Sequence, residues 1–421
     1  MESAMRSKVG LTSRSGLKSR KHKIGRRLRN VRDQKRIEVS ILYPCRNEEG
    51  TIKDCLMEAD SALREANVIG ESVVVDNGST DRSAQRARQA GARVIRCEIP
   101  GYGAALDCGI HFAKGRYILM LDADGSYDPK GLPLFLERLW AGDDMVIGNR
   151  FLGGIQPGAM PWKNRYLGNP VLSFLGRWMF GLSLGDFHCG IRAFRREAIL
   201  KLGLQGLGME YATEMIVRAG LTGLRIGEVP VVLRRDRRGR PSHLRPWRDG
   251  WRHLRFMLLF SPRWLFLVPG IALGCGALGL GMYASIGSKA QGRETLFFLS
   301  FLGITAGYQF FLFGMLTRVF GVETGFLPEP KGYRNLFRRF NLERGILAGL
   351  LAMLAGTLLL FLGVASVSRG AEFSWPKALG AGLLLSMGLQ TLLSSFLFSF
   401  LGISFRMKKL SGNGMIVTRG S

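Results

Sequence analysis

The sequence predicts an α/β head built on a doubly wound sheet, followed by an all-α membrane domain of four transmembrane helices. Three observations carry this. β-rich apolar runs alternate with helical stretches up to about residue 259, at a spacing that gathers strand ends along one crevice. One of these runs, YILML, stops at Asp122 and Asp124, two carboxylates one residue apart. Beyond it lie four apolar segments, 264–286, 295–320, 345–367 and 378–405, each meeting the roughly 20 residues that a helix needs to cross a bilayer. The 421 residues divide accordingly into a basic arm (1–36), the head (37–244), an interfacial amphipathic helix (245–262), the membrane domain (263–405) and a tail (406–421).

The arm contains KSRKHKIGRRLRNVRDQKR, without hydrophobic periodicity and without the apolar core of a signal peptide, and reads as a disordered segment. It contributes much of the net charge of +27. Polybasic stretches beside a membrane anchor bind anionic lipid more often than DNA, so a membrane and not a nucleic acid is the expected partner. The six cysteines show no CxxC spacing, which argues against a zinc site or a disulfide framework and for reduced thiols.

In the head, residues 37–43 form a first strand that breaks at Pro44 into CRNEEG, carrying Glu48, before a helix over 51–64. A second strand ends at Asp76, and DNGSTDRS follows; Asp76 and Asp81 either face a ligand or cap their turn. A third strand over 92–96 leads to PGYGAALDCGI, whose glycines either admit a ligand or make the turn. The fourth strand, 117–121, is the one that ends in Asp122 and Asp124. Charged groups at the carboxyl edge of such a strand face the ligand crevice of an open α/β sheet. Two hard oxygen ligands there suit Mg²⁺ or Mn²⁺ shared with a diphosphate. Three carboxylate-bearing loops, with Glu48, Asp76 and Asp122, thus converge.

A fifth strand over 145–148 precedes NRFLGG, and Arg150 and Arg165 supply cations with the planar fork that suits phosphate. The helix over 169–180 is apolar enough either to pack in the core or to lie on a bilayer surface. Asp186 and His188 precede a short strand, and Asp186 is the leading candidate for the acceptor side. Glu210 and Glu214 share one helical face, in the site or paired with arginines. A strand over 226–233 ends in RRDRRGRPSHL, a basic loop suited to covering phosphates. The helix after it sets Trp247, Trp251, Leu254 and Leu258 on one stripe, an interfacial pattern.

Among the spans, GxxxG pairs at Gly270/Gly274, Gly303/Gly307 and Gly345/Gly349 favour close packing or self-association into a homo-oligomer. Gln309 and Gln390 are expected to hydrogen-bond between helices. Lys331, Arg334, Arg338, Arg339 and Arg344 between the second and third spans, with Arg406, Lys408, Lys409 and Arg419 in the tail, outnumber the cations of the opposite loops, Lys289, Arg293, Arg369 and Lys377. That bias puts head and tail in the cytoplasm, on the inner face of the plasma membrane.

YPCRNEEGTI, VVDNGSTDRS, GYGAAL, LDADGSYDP, IGNRFLGG, GDFHCGIRAFRREA and GMEYATEM, in this order, resemble the family 2 glycosyltransferases of the dolichol-phosphate mannose or glucose synthase type. The resemblance implies a GT-A (Rossmann-like) fold, a UDP- or GDP-hexose donor, Mg²⁺ or Mn²⁺, and inverting transfer to a polyprenyl (dolichyl or undecaprenyl) phosphate. It puts Pro44, Glu48 and Asp76 around the nucleoside, and Asp122 and Asp124 at metal and diphosphate. Arg150, Arg165, Asn169 and Arg195, with Arg238 and Ser242 in the basic loop, match phosphate or acceptor positions, and Asp186 with Asp124, Arg150 and Arg165 forms the catalytic set. Departures are Arg240, His243, Cys189, and Gly125 with Ser126 after the carboxylates, where Leu and Gln are usual. A phosphate monoester attacks without a strong base, so positioning and charge stabilisation suffice. Two rivals are a transferase acting on another lipid or a polysaccharide, for whose processive form the QxxRW motif is lacking, and an inactive membrane scaffold for glycan export.

Overall fold

The computed structural model describes residues 37–239, 246–286, 292–330, 333 and 342–414. The arm, Arg240, Ser242, His243, Leu244, Lys289, Lys331, Arg334, Arg338, Arg339 and Arg419 lie outside the described residues, and of residues 246, 247, 249 and 402–414 only the backbone is described. The chain divides after His253 into two compact units. The division falls inside the helix expected to be interfacial.

The head runs β1 (Val39–Cys45), α1 (Ile52–Glu65), β2 (Gly70–Asp76), α2 (Ser83–Gln89), β3 (Arg93–Arg96), α3 (Tyr102–Phe112), β4 (Tyr117–Met120), α4 (Leu132–Trp140), β5 (Met145–Asn149), α5 (Asn169–Phe180), β6 (Arg192–Arg195), α6 (Glu210–Leu221) and β7 (Ile226–Pro230). The strands form one sheet in the order β3-β2-β1-β4-β6-β5-β7. From β1 the chain winds outward through β2 and β3, then returns to lay β4 on the other side. The gap between the carboxyl ends of β1 and β4 is therefore a switch point, where open sheets bind ligands. Both faces of the central strands are covered, and Ile41, Leu42, Val74, Ile118 and Leu119 are fully buried.

Two local outcomes differ from expectation. β1 does not break at Pro44 but continues to Cys45, paired with Asp76 of β2. Its ladder with β4 has already ended at Leu42, so a residue without an N–H is tolerated there. β7 stops at Pro230, three residues early, and Leu233 makes only an isolated bridge to Ile155. β6 is antiparallel to both neighbours, a direction that apolar pattern does not encode. Chain leaving β5 at the carboxyl edge stays at that edge until β6 begins there, so β6 has to run backwards.

The second unit holds α8 (Val268–Ile286), α9 (Arg293–Glu323), α10 (Leu342–Ser368) and α11 (Trp375–Gly414), following α7 (Pro246–Leu259), which straddles the division. All four expected segments are helices long and apolar enough to cross a membrane. Their glycines pack helix to helix within the chain. A Cβ on Gly307 of α9 would lie 2.8 Å from the Gly270 carbonyl oxygen of α8, and one on Gly349 of α10 would lie 2.8 Å from that of Gly388 of α11. The expected role of Gln390 is corrected, because its Oε1 is buried without a partner among the described residues. Among the described residues, polar links between spans are made instead by Tyr308 Oη with Thr391 Oγ1, at 2.7 Å, and by Arg293 Nε donating to the Ala284 carbonyl oxygen at 2.8 Å.

Candidate active site

The carboxyl edge is assembled by local turn chemistry. Asp76, half-buried at the end of β2, accepts the Ser79 N–H at 3.2 Å, while Asp81 accepts from the Ser83 N–H (2.9 Å) and the Glu49 N–H (3.1 Å). Asp81 is therefore a brace between two loops. Glu48 is buried, and its N–H donates to Ser83 Oγ at 2.7 Å. Thr51, just before α1, donates to the Ala123 carbonyl oxygen at 2.6 Å, which ties the Glu48 loop to the peptide between the two aspartates. Pro44 sits beside them on β1.

After Asp124 the backbone turns through Gly125 at φ +75°, a left-handed conformation that glycine adopts without penalty. The Ser126 N–H then donates to Asp124 Oδ1 at 2.9 Å. The two departures from the family pattern thus build the turn that holds this carboxylate. Tyr102 Oη donates to Asp122 Oδ1 at 3.1 Å. Tyr102 is delivered there by Gly101, at φ +142°, where a Cβ would collide with the Leu207 carbonyl oxygen. Glycine in GYG thus serves protein packing and the turn. Burial, then the charge of Asp124, pushes the Asp122 carboxyl up to about 6, against the pull of Tyr102, Arg238 and Arg192. Arg238 contacts Asp124 Oδ2 at 2.9 Å and Glu48 Oε1 at 3.3 Å.

On the far side of β4, Arg150 and Asp186 form a buried two-pronged pair, Nε to Oδ2 at 2.6 Å and Nη2 to Oδ1 at 2.7 Å. Breaking such a buried pair by removing one partner typically costs about 3–5 kcal/mol. Glu228 of β7 accepts from the Gly185 and Asp186 N–H groups (2.8 and 3.1 Å), and Asn149 caps the turn carrying Arg150 by accepting the Phe151 and Leu152 N–H groups. Both members are therefore fixed in place. Arg165 lies on the turn before α5, over the Tyr166 ring at 5.4 Å, and Asn169 opens α5 with its Nδ2 3.4 Å from Met160 Sδ.

Arg195 is not brought to these groups. It pairs with Tyr117, the first residue of β4, whereas Asp122 lies past the last, Met120. At about 3.3 Å per residue the separation along the strand is roughly 16 Å. Its guanidinium instead donates to the Leu139 and Asp143 carbonyl oxygens, both at 3.2 Å. The arginine opposite Met120 is Arg192, fully buried and donating to the Cys189 and Phe187 carbonyl oxygens. Of the paired acids on α6, Glu214 forms an ion pair with Arg218 at 3.1 Å and accepts the Gln205 and Gly206 N–H groups, a structural role. Motif reading misses Tyr102, Tyr127, whose Oη accepts the Gly190 N–H at 3.0 Å, and Glu58, which pairs with Arg234 and Arg237. Tyr102 lies inside a motif noticed for its glycines; Glu58 lies in none.

A head with carboxylates at its switch point, joined to four apolar helices, has the architecture of a membrane-attached transferase of activated groups. A family model described as glycosyl transferase family 2 matches residues 40–203, and one described as glycosyltransferase family 2 C-terminal transmembrane region matches residues 315–402. The low-salt glycan biosynthesis hexosyltransferase Agl6 of Haloferax volcanii is 36% identical over 374 residues, spanning 86% of this chain and 89% of that protein. The dolichyl-phosphate hexose transferase of the same organism is 32% identical over 198 residues, 47% of this chain and 83% of the relative. Among solved structures, glucosyl-3-phosphoglycerate synthase from Mycobacterium tuberculosis aligns over 53% of this chain and 79% of its own at a TM-score of 0.43 and 23% identity, too distant to bear on the chemistry. The chain belongs to glycosyltransferase family 2, and it is an enzyme of that class.

Proposed function

We propose that the protein transfers a hexose from a UDP- or GDP-sugar to a polyprenyl phosphate at the cytoplasmic face of the plasma membrane, inverting the anomeric centre. The observation that carries this is the placement of Glu48, Asp76, Asp122 and Asp124 at or just past the carboxyl ends of β1, β2 and β4, beside the switch point of a head whose chain continues into four apolar helices. The likeness to a dolichyl-phosphate hexose transferase supports the lipid acceptor.

Asp122 and Asp124 would hold Mg²⁺ or Mn²⁺. Among the described residues no three His, Cys, Asp or Glu side chains converge as a metal cage, so the protein offers two carboxylates. That fits Mg²⁺, which uses one or two carboxylates and completes its shell with phosphate and water. A cation already stands at Asp124 in the form of the Arg238 guanidinium, which also meets Glu48, a sign of a site that wants positive charge. When bound, the metal would neutralise charge on the departing diphosphate. The remaining work falls to the protein. Glu48 and Asp76 receive the nucleoside through its N–H and hydroxyl donors. The acceptor phosphate, anionic at neutral pH, attacks the anomeric carbon as its bond to the diphosphate oxygen breaks on the opposite face. Asp186 and Arg150 keep the acceptor side rigid, with Arg165, Asn169, Arg238 and Ser242 the proposed phosphate contacts.

The test uses membranes containing the protein, polyprenyl phosphate, Mg²⁺ or Mn²⁺ and a panel of labelled nucleotide sugars. Label from one sugar should enter the organic phase as an acid-labile lipid, and chelator or Asp122→Asn should lower the rate by at least about a hundredfold. No transfer across the panel, with nucleotide sugar still bound, would point to another acceptor or to a scaffold.

A further inference from the structure

Chain leaving β7 is fastened across the loop that carries the two aspartates. The Arg234 N–H donates to the Ser126 carbonyl oxygen at 2.9 Å and the Arg237 N–H to that of Asp124 at 3.0 Å. Side chains reinforce this seam: Arg234 pairs with Asp128 and with Glu58 (3.4 Å), and Arg237 with Glu58 (3.0 Å). Glycine at 125 leaves room, since a Cβ there would come within 3.0 Å of Arg237 Cδ. The seam delivers Arg238 to the carboxylates, 2.9 Å from Asp124 Oδ2 and 3.3 Å from Glu48 Oε1, with its side chain only 13% exposed.

We propose that Arg238 is a tethered counter-ion that occupies the cation position of this site until a divalent metal displaces it. The inference rests on the reading of Asp122 and Asp124 as the metal-holding pair. Without some cation, Asp122, Asp124 and Glu48 would stand as partly buried like charges, which is unfavourable. Arg238 holds Asp124 Oδ2 and the Ser126 N–H already occupies Oδ1, so a metal held by this carboxylate would compete with the guanidinium. Arg238 also leaves without becoming a bare charge, because Asp236, two residues away on the same segment, already accepts its N–H and its Nε, both at 2.7 Å. Displacement thus turns Arg238 from an internal partner into a cation available to phosphate, and links opening of residues 234–238 to arrival of the metal. A site competent only when the plug is out binds with an affinity lowered by the fraction of time it is out. If that fraction is about one in ten, removing the plug tightens binding about tenfold.

The experiment titrates full-length protein in detergent with Mn²⁺ alone, following the free-ion signal by electron paramagnetic resonance. Arg238→Ala is expected to bind Mn²⁺ about tenfold more tightly than wild type, although its transfer rate falls. A second measurement, on wild type only, guards against a misfolded variant: trypsin should cut after Arg237 and Arg238 faster once Mn²⁺ is added. Equal or weaker Mn²⁺ binding by Arg238→Ala, or cleavage unchanged at saturating Mn²⁺, overturns the plug and leaves the metal reading intact. Absence of Mn²⁺ binding in both proteins, even with a nucleoside diphosphate present, overturns both.

Discussion

His188 shows how a single side chain carries consequences that its motif does not advertise. Both ring nitrogens are buried without a hydrogen-bond partner among the described residues, and the ring meets His253 edge-on at 4.7 Å. Burial first, then His253, Arg150 and Arg192, hold its pKa well below the usual 6.5. Asp186 accepts the His188 backbone N–H through Oδ1 at 3.3 Å, and the same carboxylate is engaged by Arg150. The unfolded chain takes up a proton near pH 6.5 that the folded state refuses. Stability from the neutral ring is therefore complete above about pH 6.5 and is lost as pH falls below it, by up to about 1.4 kcal/mol per unit. Between pH 7 and pH 5 the thermal midpoint should drop further in wild type than in His188→Phe; parallel slopes would refute this. The positions that the candidate site draws on were partly legible in the sequence. Glu48, Asp76, Asp122 and Asp124 follow from local pattern, because strand ends and turn residues announce themselves. The Arg150–Asp186 pair spans 36 positions and the Arg238 contacts more than 100, and no local pattern encodes which cation meets which acid. Arg195 sits in a recognisable motif, yet only the direction of β6 reveals that it faces the wrong end of the sheet.

At the level of elements, alternating strands and helices were readable because each apolar run is flanked by turn chemistry. Strand order and the reversal of β6 were not, since they depend on long-range pairing. The GxxxG spacings among the spans left open whether they pack within one chain or between two. In the structure they pack within: Gly307 meets Gly270 and Gly274, and Gly349 meets Gly388 and Leu392. Small residues allow backbones to approach where lipid gives no hydrophobic incentive for helices to associate. A larger side chain at Gly307 has backbone, not a flexible side chain, in its path. Gly307→Ile is therefore expected to lower the thermal midpoint in detergent by several degrees, as a lesion of about 1–3 kcal/mol would. Gly363→Ile, where a Cβ would meet nothing within 4 Å, should leave it unchanged. Equal midpoints for the two variants would sink this account.

For the whole molecule, the division after His253 predicts a separation of labour. The head should keep its own cooperative unfolding and its affinity for nucleotide sugar when produced without the second unit, because its sheet and core lie entirely within it. If the proposed lipid acceptor holds, transfer to polyprenyl phosphate in vesicles should nevertheless fall by about a hundredfold or more, since the tether that would set the local concentration of lipid is gone. Calorimetry for the first quantity and organic-phase label for the second check this; a head that neither folds nor binds would refute it. The antiparallel β6 has a further bearing on how such an enzyme diversifies. Because the chain from Arg150 to Cys189 leaves and re-enters the sheet at one edge, its length and composition can change without shifting β1, β2 or β4 in register. On the proposed reading, which puts the donor at β1, β2 and β4, descendants of one ancestor would be free to exchange what they glycosylate while inheriting an unaltered grip on the activated sugar.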